Sequence, residues 1–322
     1  MTFAGSPDRI EARLVPDAGY PFDAFRVSGF PRRAGLGLVR AAGLATLAPA
    51  ACLRILARRR PDVVLGGGGY VAGPMVLAAR LRGIPAALME ADAHLGLANR
   101  LAAPLARRVF LAFPVEGRTA SKYRVTGRPI PARSRPLPRD EARRLFELPP
   151  DGPVLLVFGG SQGARSVNDA VAAAFGEDGP ALLHLCGERD FARLRSLVSR
   201  PDYRLLAYTN EFGAALAASD LVLARAGGSV WEVAAAGKPA ILVPYPHATA
   251  LHQDKNARYF EAAGGAVVLA DAELERMPGL VASLLADPGR LAAMGEAMLR
   301  AARPLAAEEI AEEVVALAAA RR

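Results

Sequence analysis

VLLVFGGSQGARSVN, residues 154–168, is the stretch whose reading decides the fold. An apolar run from Val154 to Phe158 passes directly into Gly159-Gly160-Ser161-Gln162-Gly163-Ala164, and a helical pattern opens through Val167 and Asn168. A continuous apolar run that ends in glycine reads as a parallel strand covered on both faces, and strand, glycine-rich turn and helix in succession make the unit of a Rossmann-like sheet. Glycines allow close backbone approach, and the free amides at the helix start, with the helix dipole, favour an anion such as a diphosphate. The same residues also read as a plain tight turn with Ser161 as N-cap.

The pattern repeats on both sides. Ala181–Leu185 (ALLHL), Arg204–Ala207 (RLLA), Leu221–Ala224 (LVLA) and Ala240–Val243 (AILV) read as strands of the same unit. Pro61–Leu65 (PDVVL), Ile84–Met89 (IPAALM) and Arg108–Ala112 (RVFLA) read as strands of an earlier one. Helical Ala/Leu/Arg-rich stretches alternate with them, which predicts an α/β protein with two parallel sheets. A single core stops growing at roughly 250 to 300 residues, and the 322 residues, 52% of them hydrophobic, suffice for two. The proline-rich stretch RPIPARSRPLP, 128–138, cannot continue a helix or central strand and reads as a linker. The expected division is a first domain over 1–127, a linker and lead-in helix over 128–150, a second domain over 151–303 and a closing helix over 304–322. Two such units leave a cleft beyond the carboxyl edges of their sheets, so function is sought in loops that follow strands.

The net charge of +8 invites a nucleic-acid or anionic-membrane reading. The basic residues are nearly all arginine, with lysine only at 122, 238 and 255, and the clusters Arg32-Arg33, Arg58-Arg59-Arg60 and Arg107-Arg108 lack interleaved aromatics. That argues against nucleic acid. Cys52 and Cys186 stand apart with no metal-ligand or disulfide spacing and read as core residues. No run of about 18 apolar residues and no leader pattern at Met1 occurs, which predicts a chain made and kept in the cytosol.

Further loops carry candidate chemistry. Arg225-Ala226-Gly227-Gly228-Ser229 follows the strand LVLA and leads to Glu232. Glu232 reads either as the partner of Ser229 in a capping box or as a carboxylate that accepts ribose hydroxyls. His252, Gln253 and Asn256 would share one helical face able to read sugar hydroxyls, or simply form a solvated helix start. In the first unit Gly66-Gly67-Gly68-Gly69 follows PDVVL, and Glu90, Asp92 and His94 follow IPAALM. His94 is a possible general base, and it also reads as a structural histidine.

Taken in order, GGGGYVAGP (66–74), EADAHLGLANR (90–100), VTGRPIP (125–131), VFGGSQGARSVN (157–168), RAGGSVWEVAAAGKPAILVPYP (225–246) and HQDKNA (252–257) resemble the successive signatures of the MurG glycosyltransferases. The resemblance covers nearly the whole chain and is most specific in its second half. It implies a GT-B fold and an inverting enzyme, without metal or cofactor, that moves N-acetylglucosamine from UDP-N-acetylglucosamine to the undecaprenyl-linked precursor lipid I, giving lipid II. It implies Ser161 and Gln162 at the diphosphate, Glu232 at the ribose, His252 and Gln253 at the sugar, and Arg225, Gly228 and Ser229 lining the same pocket. Glu90 and Asp92 would lie on the acceptor side. The implied location is peripheral, on the cytoplasmic face of the cell membrane.

There are departures. The family usually reads His-Glu-Gln-Asn where this chain has Met89-Glu90-Ala91-Asp92, so an amide that contacts the sugar becomes the acid Asp92. Where the family has Gly-Asn-Pro with an arginine two residues on, this chain has Gly127-Arg128-Pro129-Ile130-Pro131, and Arg128 or Arg133 would take over the anionic contact. Met1–Pro16 resembles the family's second strand and following loop, so the first strand and a GGTGGH-like loop with a catalytic histidine are expected upstream of Met1. Leu36–Arg60, with Leu38, Leu47, Leu53 and Ile55 among arginines, would suit docking on anionic lipid, or form a buried helix with solvated arginines. The rival readings are a GT-B enzyme with another lipid acceptor such as diacylglycerol, and a non-catalytic sugar-nucleotide-binding subunit.

Overall fold

The computed structural model describes residues 1–27, 36–160 and 162–321, with residues 36–45 described by their backbone alone. It divides into two units, Met1–Thr126 with Glu308–Arg322, and Gly127–Ala307.

The first unit runs β1 (Phe3–Gly5), α1 (Glu11–Asp17), β2 (Phe22–Ala24), α2 (Leu36–Arg59), β3 (Val64–Gly66), α3 (Gly69–Leu81), β4 (Ala86–Glu90), α4 (Leu97–Ala102), β5 (Arg108–Leu111) and β6 (Tyr123–Val125). Strands β3, β4, β5 and β6 lie side by side, all parallel, with Val64 opposite Ala86, Ala87 opposite Arg108 and Val109 opposite Tyr123. β1 and β2 pair separately, also in parallel. The core joins α2, α3 and this sheet through Cys52, Leu56, Val76, Ala79, Leu88 and Val109, all buried. Along α2, Leu53 and Ile55 pack partly against that core, whereas Leu47 is exposed. Of the apolar residues read as a docking face, therefore, two turn inward, because packing on α3 removes more apolar surface from water than solvent exposure allows. Leu38, Arg40 and the pair Arg32-Arg33 lie outside the described side chains.

The second unit runs α5 (Arg139–Leu145), β7 (Val154–Phe158), α6 (Arg165–Phe175), β8 (Ala181–Leu185), α7 (Glu188–Arg195), β9 (Tyr203–Leu206), α8 (Phe212–Ala218), β10 (Leu221–Ala224), α9 (Val230–Ala235), β11 (Ala240–Leu242), α10 (His252–Ala262), β12 (Ala266–Val268), α11 (Met277–Leu285) and α12 (Pro288–Ala301). Its sheet has the order β12-β11-β10-β7-β8-β9, and every pair is parallel. Val154–Phe158 is buried along its whole length, as are Leu221–Ala224 and Ala240–Leu242, which is why these strands read as unbroken apolar runs.

Five strands start or end one to three residues from where the sequence puts them, two of them only by ending a residue early, at Leu111 and Leu242. Val64–Gly66 replaces Pro61–Leu65, Ala86–Glu90 replaces Ile84–Met89, and Tyr203–Leu206 replaces Arg204–Ala207. Pro61 and Pro85 carry no N–H for the ladder, and Pro85 joins it only as the acceptor of Val64 N–H at 3.0 Å. The last helix, α13 (Ala306–Ala319), packs Ile310, Val314 and Leu317 on Ala87, Met89 and Phe110 of the first unit's sheet. Glu313 meets Arg108 at 2.7 Å beside that seam.

Candidate functional site

The order of the second sheet locates the site. From β7 the chain steps to β8 and β9 on one side, while from β10 it steps to β11 and β12 on the other, and β7 and β10 are neighbours. At such a reversal the two following loops diverge and leave a crevice past the carboxyl ends of the strands, where open α/β sheets bind ligands. The loops are 159–164 and 225–229.

The first loop is shaped by its glycines. Gly160 and Gly163 have φ of 87° and 72°, and Gly163 N–H donates to Gly160 O at 2.9 Å to close the turn. Gln162 is exposed, and Ser161 lies outside the described residues. Helix α6 begins with Ala164 at its N-cap position and no side-chain cap. Beneath the loop a buried polar chain ties α6 to the end of β8. Asn168 Nδ2 donates to Cys186 O at 2.8 Å and to Asp190 Oδ2 at 2.9 Å, so its Oδ1 is left to accept from His184 Nε2 at 3.0 Å. The other ring nitrogen, Nδ1, then accepts from Tyr203 Oη at 2.8 Å. Burial pushes His184 down to a pKa of about 3, so the ring is neutral and this one tautomer satisfies every partner.

The second loop and the linker enclose a cavity of about 320 Å³, with Arg128, Phe158, Tyr208, Phe212, Gly228, Ser229 and Glu232 in its wall. The Arg128 guanidinium lies against Gly228, and a β-carbon there would stand 1.3 Å from its Nη1. Ser229 occupies the N-cap position of α9 without a side-chain hydrogen bond. Glu232 does not reach back to it either: its Oε1 accepts from Ser134 Oγ at 2.5 Å. The capping-box reading is thereby corrected, since the carboxylate turns toward a hydroxyl of the linker. Arg128 is brought here to Gly228, Ser229 and Glu232, which stand together in the 225–246 motif. Tyr208, exposed, and Phe212, edge-on to Phe158 at 5.1 Å between ring centroids, went unread because neither stands in a glycine-rich motif. A guanidinium, a carboxylate, aromatic faces and helix amides around one cavity suit an anionic nucleotide.

Other candidates are committed to holding the loops. Arg225 is buried and donates to Val243 O, Pro244 O and Ser166 Oγ, and it pairs with Asp271 at 2.6 Å. It fastens its own loop to the loop after β11, the start of α6 and the segment after β12, and does not appear in the wall of that cavity. His252, Gln253 and Asn256 all lie on α10, and each is engaged by a neighbouring backbone group. His252 Nδ1 meets Thr249 O at 2.9 Å, Gln253 Oε1 accepts from Tyr245 N–H at 2.9 Å, and buried Asn256 donates to Ala226 O at 3.1 Å. Ala250 and Leu251 precede α10 with φ of 52° and 51°, a left-handed conformation that non-glycine residues adopt at a cost.

In the first unit, Gly68 and Gly69 have φ of 95° and 67° where α3 begins, so the glycine run is needed for the turn itself. Glu90 is turned onto its own loop. Its Oε1 accepts from Ala91 N–H at 3.0 Å, and its Oε2 accepts from Gly96 N–H at 2.9 Å and Asn99 Nδ2 at 3.0 Å. A carboxylate so occupied shapes the loop that presents Asp92 and His94, both partly buried.

Comparison with known proteins agrees with this geometry. Residues 154–310 match the glycosyltransferase family 28 C-terminal domain, and residues 2–111 match the glycosyltransferase family 28 N-terminal domain. A Salinibacter ruber protein named UDP-N-acetylglucosamine–N-acetylmuramyl-(pentapeptide) pyrophosphoryl-undecaprenol N-acetylglucosamine transferase is 40% identical, over 99% of this chain and 88% of its own length. A Rubrobacter xylanophilus protein of the same name is 40% identical, over 98% of this chain and 95% of its own. The crystal structure of Acinetobacter baumannii MurG superposes with a TM-score of 0.76 at 27% identity, covering 97% of this chain and 90% of that one. With two parallel α/β units of GT-B type and relatives this similar along nearly its full length, the chain belongs to glycosyltransferase family 28 and, within it, to the MurG family of N-acetylglucosamine transferases.

Proposed function

We propose that this protein transfers N-acetylglucosamine from UDP-N-acetylglucosamine to the undecaprenyl-pyrophosphoryl N-acetylmuramyl-pentapeptide, lipid I, giving lipid II for peptidoglycan. The observation that carries the proposal is that relatives of this named activity match 98–99% of the chain at 40% identity. The cavity at the switch point of the second sheet is consistent with it.

In this reading the donor lies in the second unit. Glu232 accepts ribose hydroxyls, Arg128 faces the diphosphate across Gly228, and the amides opening α6 and α9 stabilise the departing UDP, with Ser161 and Gln162 on the first of those loops and Ser229 on the second. His252 and Gln253 stand at the start of α10 for the sugar, and Arg225 holds the loops around them. The acceptor belongs to the first unit, where Asp92 and His94 follow β4. Direct displacement at the anomeric carbon inverts it and requires a base to take the proton of the attacking hydroxyl, and among the described residues these two are candidates beside the histidine that the resemblance implies. No metal or cofactor enters the reading.

An acceptor with a polyprenyl chain supports a reading of the enzyme as a peripheral protein at the membrane, on its cytoplasmic face. Among the described residues no helix is long and apolar enough to cross a membrane. The exposed Leu47 and the arginines at the end of α2 would meet an anionic surface.

Transfer of labelled N-acetylglucosamine to a lipid I analogue, with diacylglycerol as competitor, tests the acceptor. Product on the lipid I analogue alone is expected, and product on diacylglycerol would overturn the assignment. Calorimetry with UDP-N-acetylglucosamine tests the donor independently.

A further inference from the structure

We infer that Ser134 is a positioning residue of the donor site: it holds one oxygen of the Glu232 carboxylate so that the other is presented to a vicinal diol of the nucleotide. This rests on the reading of the cavity as a nucleotide site, and goes beyond the residues that any motif supplied.

The contact is specific. Ser134 Oγ donates to Glu232 Oε1 at 2.5 Å, across 98 residues of sequence. That is the short end of hydroxyl-to-carboxylate distances, where the ionised acceptor strengthens the bond. Among the described residues it is the only hydrogen-bond partner of that carboxylate. A carboxylate has room for several donors on its two oxygens, so one oxygen is fixed by the protein and the second remains for a ligand.

Ser134 is itself held still. It is only 3% exposed and closes a single tight turn, Ala132–Ser134, in which its N–H donates to Pro131 O at 2.9 Å. The backbone at Ser134 and Arg135 lies directly on Gly213 of α8, where a β-carbon would stand 2.2 Å from Arg135 O. Only glycine permits that approach. The hydroxyl therefore reaches Glu232 from a rigid platform, and a side chain that would otherwise sample several rotamers is ordered before any ligand arrives.

A vicinal diol binds a carboxylate best when both oxygens sit in fixed places, so losing the Ser134 hydroxyl should weaken recognition of the ribose and leave the rest of the nucleotide alone. The test is calorimetry on the full chain with UDP and with 2′-deoxy-UDP. The unsubstituted protein should prefer UDP by about tenfold, the value of a hydrogen bond to a charged group. Ser134→Ala should weaken UDP by about fivefold, leave 2′-deoxy-UDP unchanged and so shrink the preference. Ser134→Cys keeps the side-chain size with a far weaker donor, and it is read by the same criterion should the alanine variant fold poorly. A variant that weakens both nucleotides equally, or that keeps the full preference while Glu232→Ala abolishes it, overturns the inference alone. If Glu232→Ala itself keeps the preference, the nucleotide reading of the cavity fails, and the inference with it.

Discussion

The α-carbon of Gly163 rests on the carbonyl oxygen of Cys186: a β-carbon at 163 would stand 2.1 Å from that oxygen. The same oxygen accepts the Asn168 side chain at 2.8 Å, so the loop after β7 and the loop after β8 are locked through one atom. Gly163 also has φ of 72°, which adds backbone strain for any other residue. Gly163→Ala is expected to destabilise the second unit by about 2 kcal/mol or more, because the obstacle is backbone and cannot swing aside. Thermal unfolding and UDP affinity should fall together. An alanine variant that melts like the parent would contradict the packing described.

Gly228 makes the opposite case. The atom that a β-carbon would strike there is Nη1 of Arg128, the far end of a flexible side chain that is otherwise exposed. Gly228→Ala should therefore cost little in melting temperature while displacing the guanidinium and weakening UDP binding. Arg128→Ala should weaken it to a similar degree, and the double variant should add little further, since both changes remove one interaction. Additive losses in the double variant would show that the two residues act separately.

How much of this was legible in the sequence depended on whether the signal was local. β7 and β10 carry unbroken apolar runs, and β8 one broken only by His184, because both faces of the sheet are covered, and their bounds were readable to the residue. β12, Ala266–Val268, and β6, Tyr123–Val125, are too short to carry a pattern and were not read at all. The glycine-rich loops were readable because positive φ demands glycine in place. Their partners were not. Ser134 looks like one more polar residue in a proline-rich linker, and only the fold brings it to Glu232. Glu90 looked available because a sequence does not show that its own loop and α4 together return four donors to it.

The seam between α13 and the first unit's sheet offers a comparison of packing with charge. Ile310 is 4% exposed against Ala87 and Phe110, whereas Glu313 and its partner Arg108 remain partly open to water. Ile310→Ala should cost about 2 kcal/mol through lost burial and the cavity left behind. Glu313→Ala should cost less than about 1 kcal/mol, because solvent screens a half-exposed pair. Chemical denaturation of both variants decides it, and the reverse ranking would mean that the ion pair anchors the helix.

The neutral ring of His184 gives a dependence on pH whose sign is fixed by its environment. Burial lowers its pKa from the ordinary 6.5 to about 3. Between these values the unfolded chain binds a proton that the folded chain refuses, so stability falls as the pH drops below about 6.5 and the loss ends near 3. Above 6.5 both states are neutral and the residue contributes no slope. Asp190, at the other end of the polar chain, is held below the ordinary carboxylate range. Burial raises its pKa, but hydrogen bonds from Asn168, Arg193 and Arg165 outweigh it and hold the group below 3.8. The window from pH 6 to 4.5 therefore isolates the histidine, with a slope approaching one proton, about 1.4 kcal/mol per pH unit. His184→Gln keeps a donor for Asn168 but does not titrate, so its stability should be flatter across that window, although lower at neutral pH. Denaturant titrations of both proteins at pH 7, 6, 5 and 4.5 measure this, and equal slopes would show that the ring is protonated in the folded state.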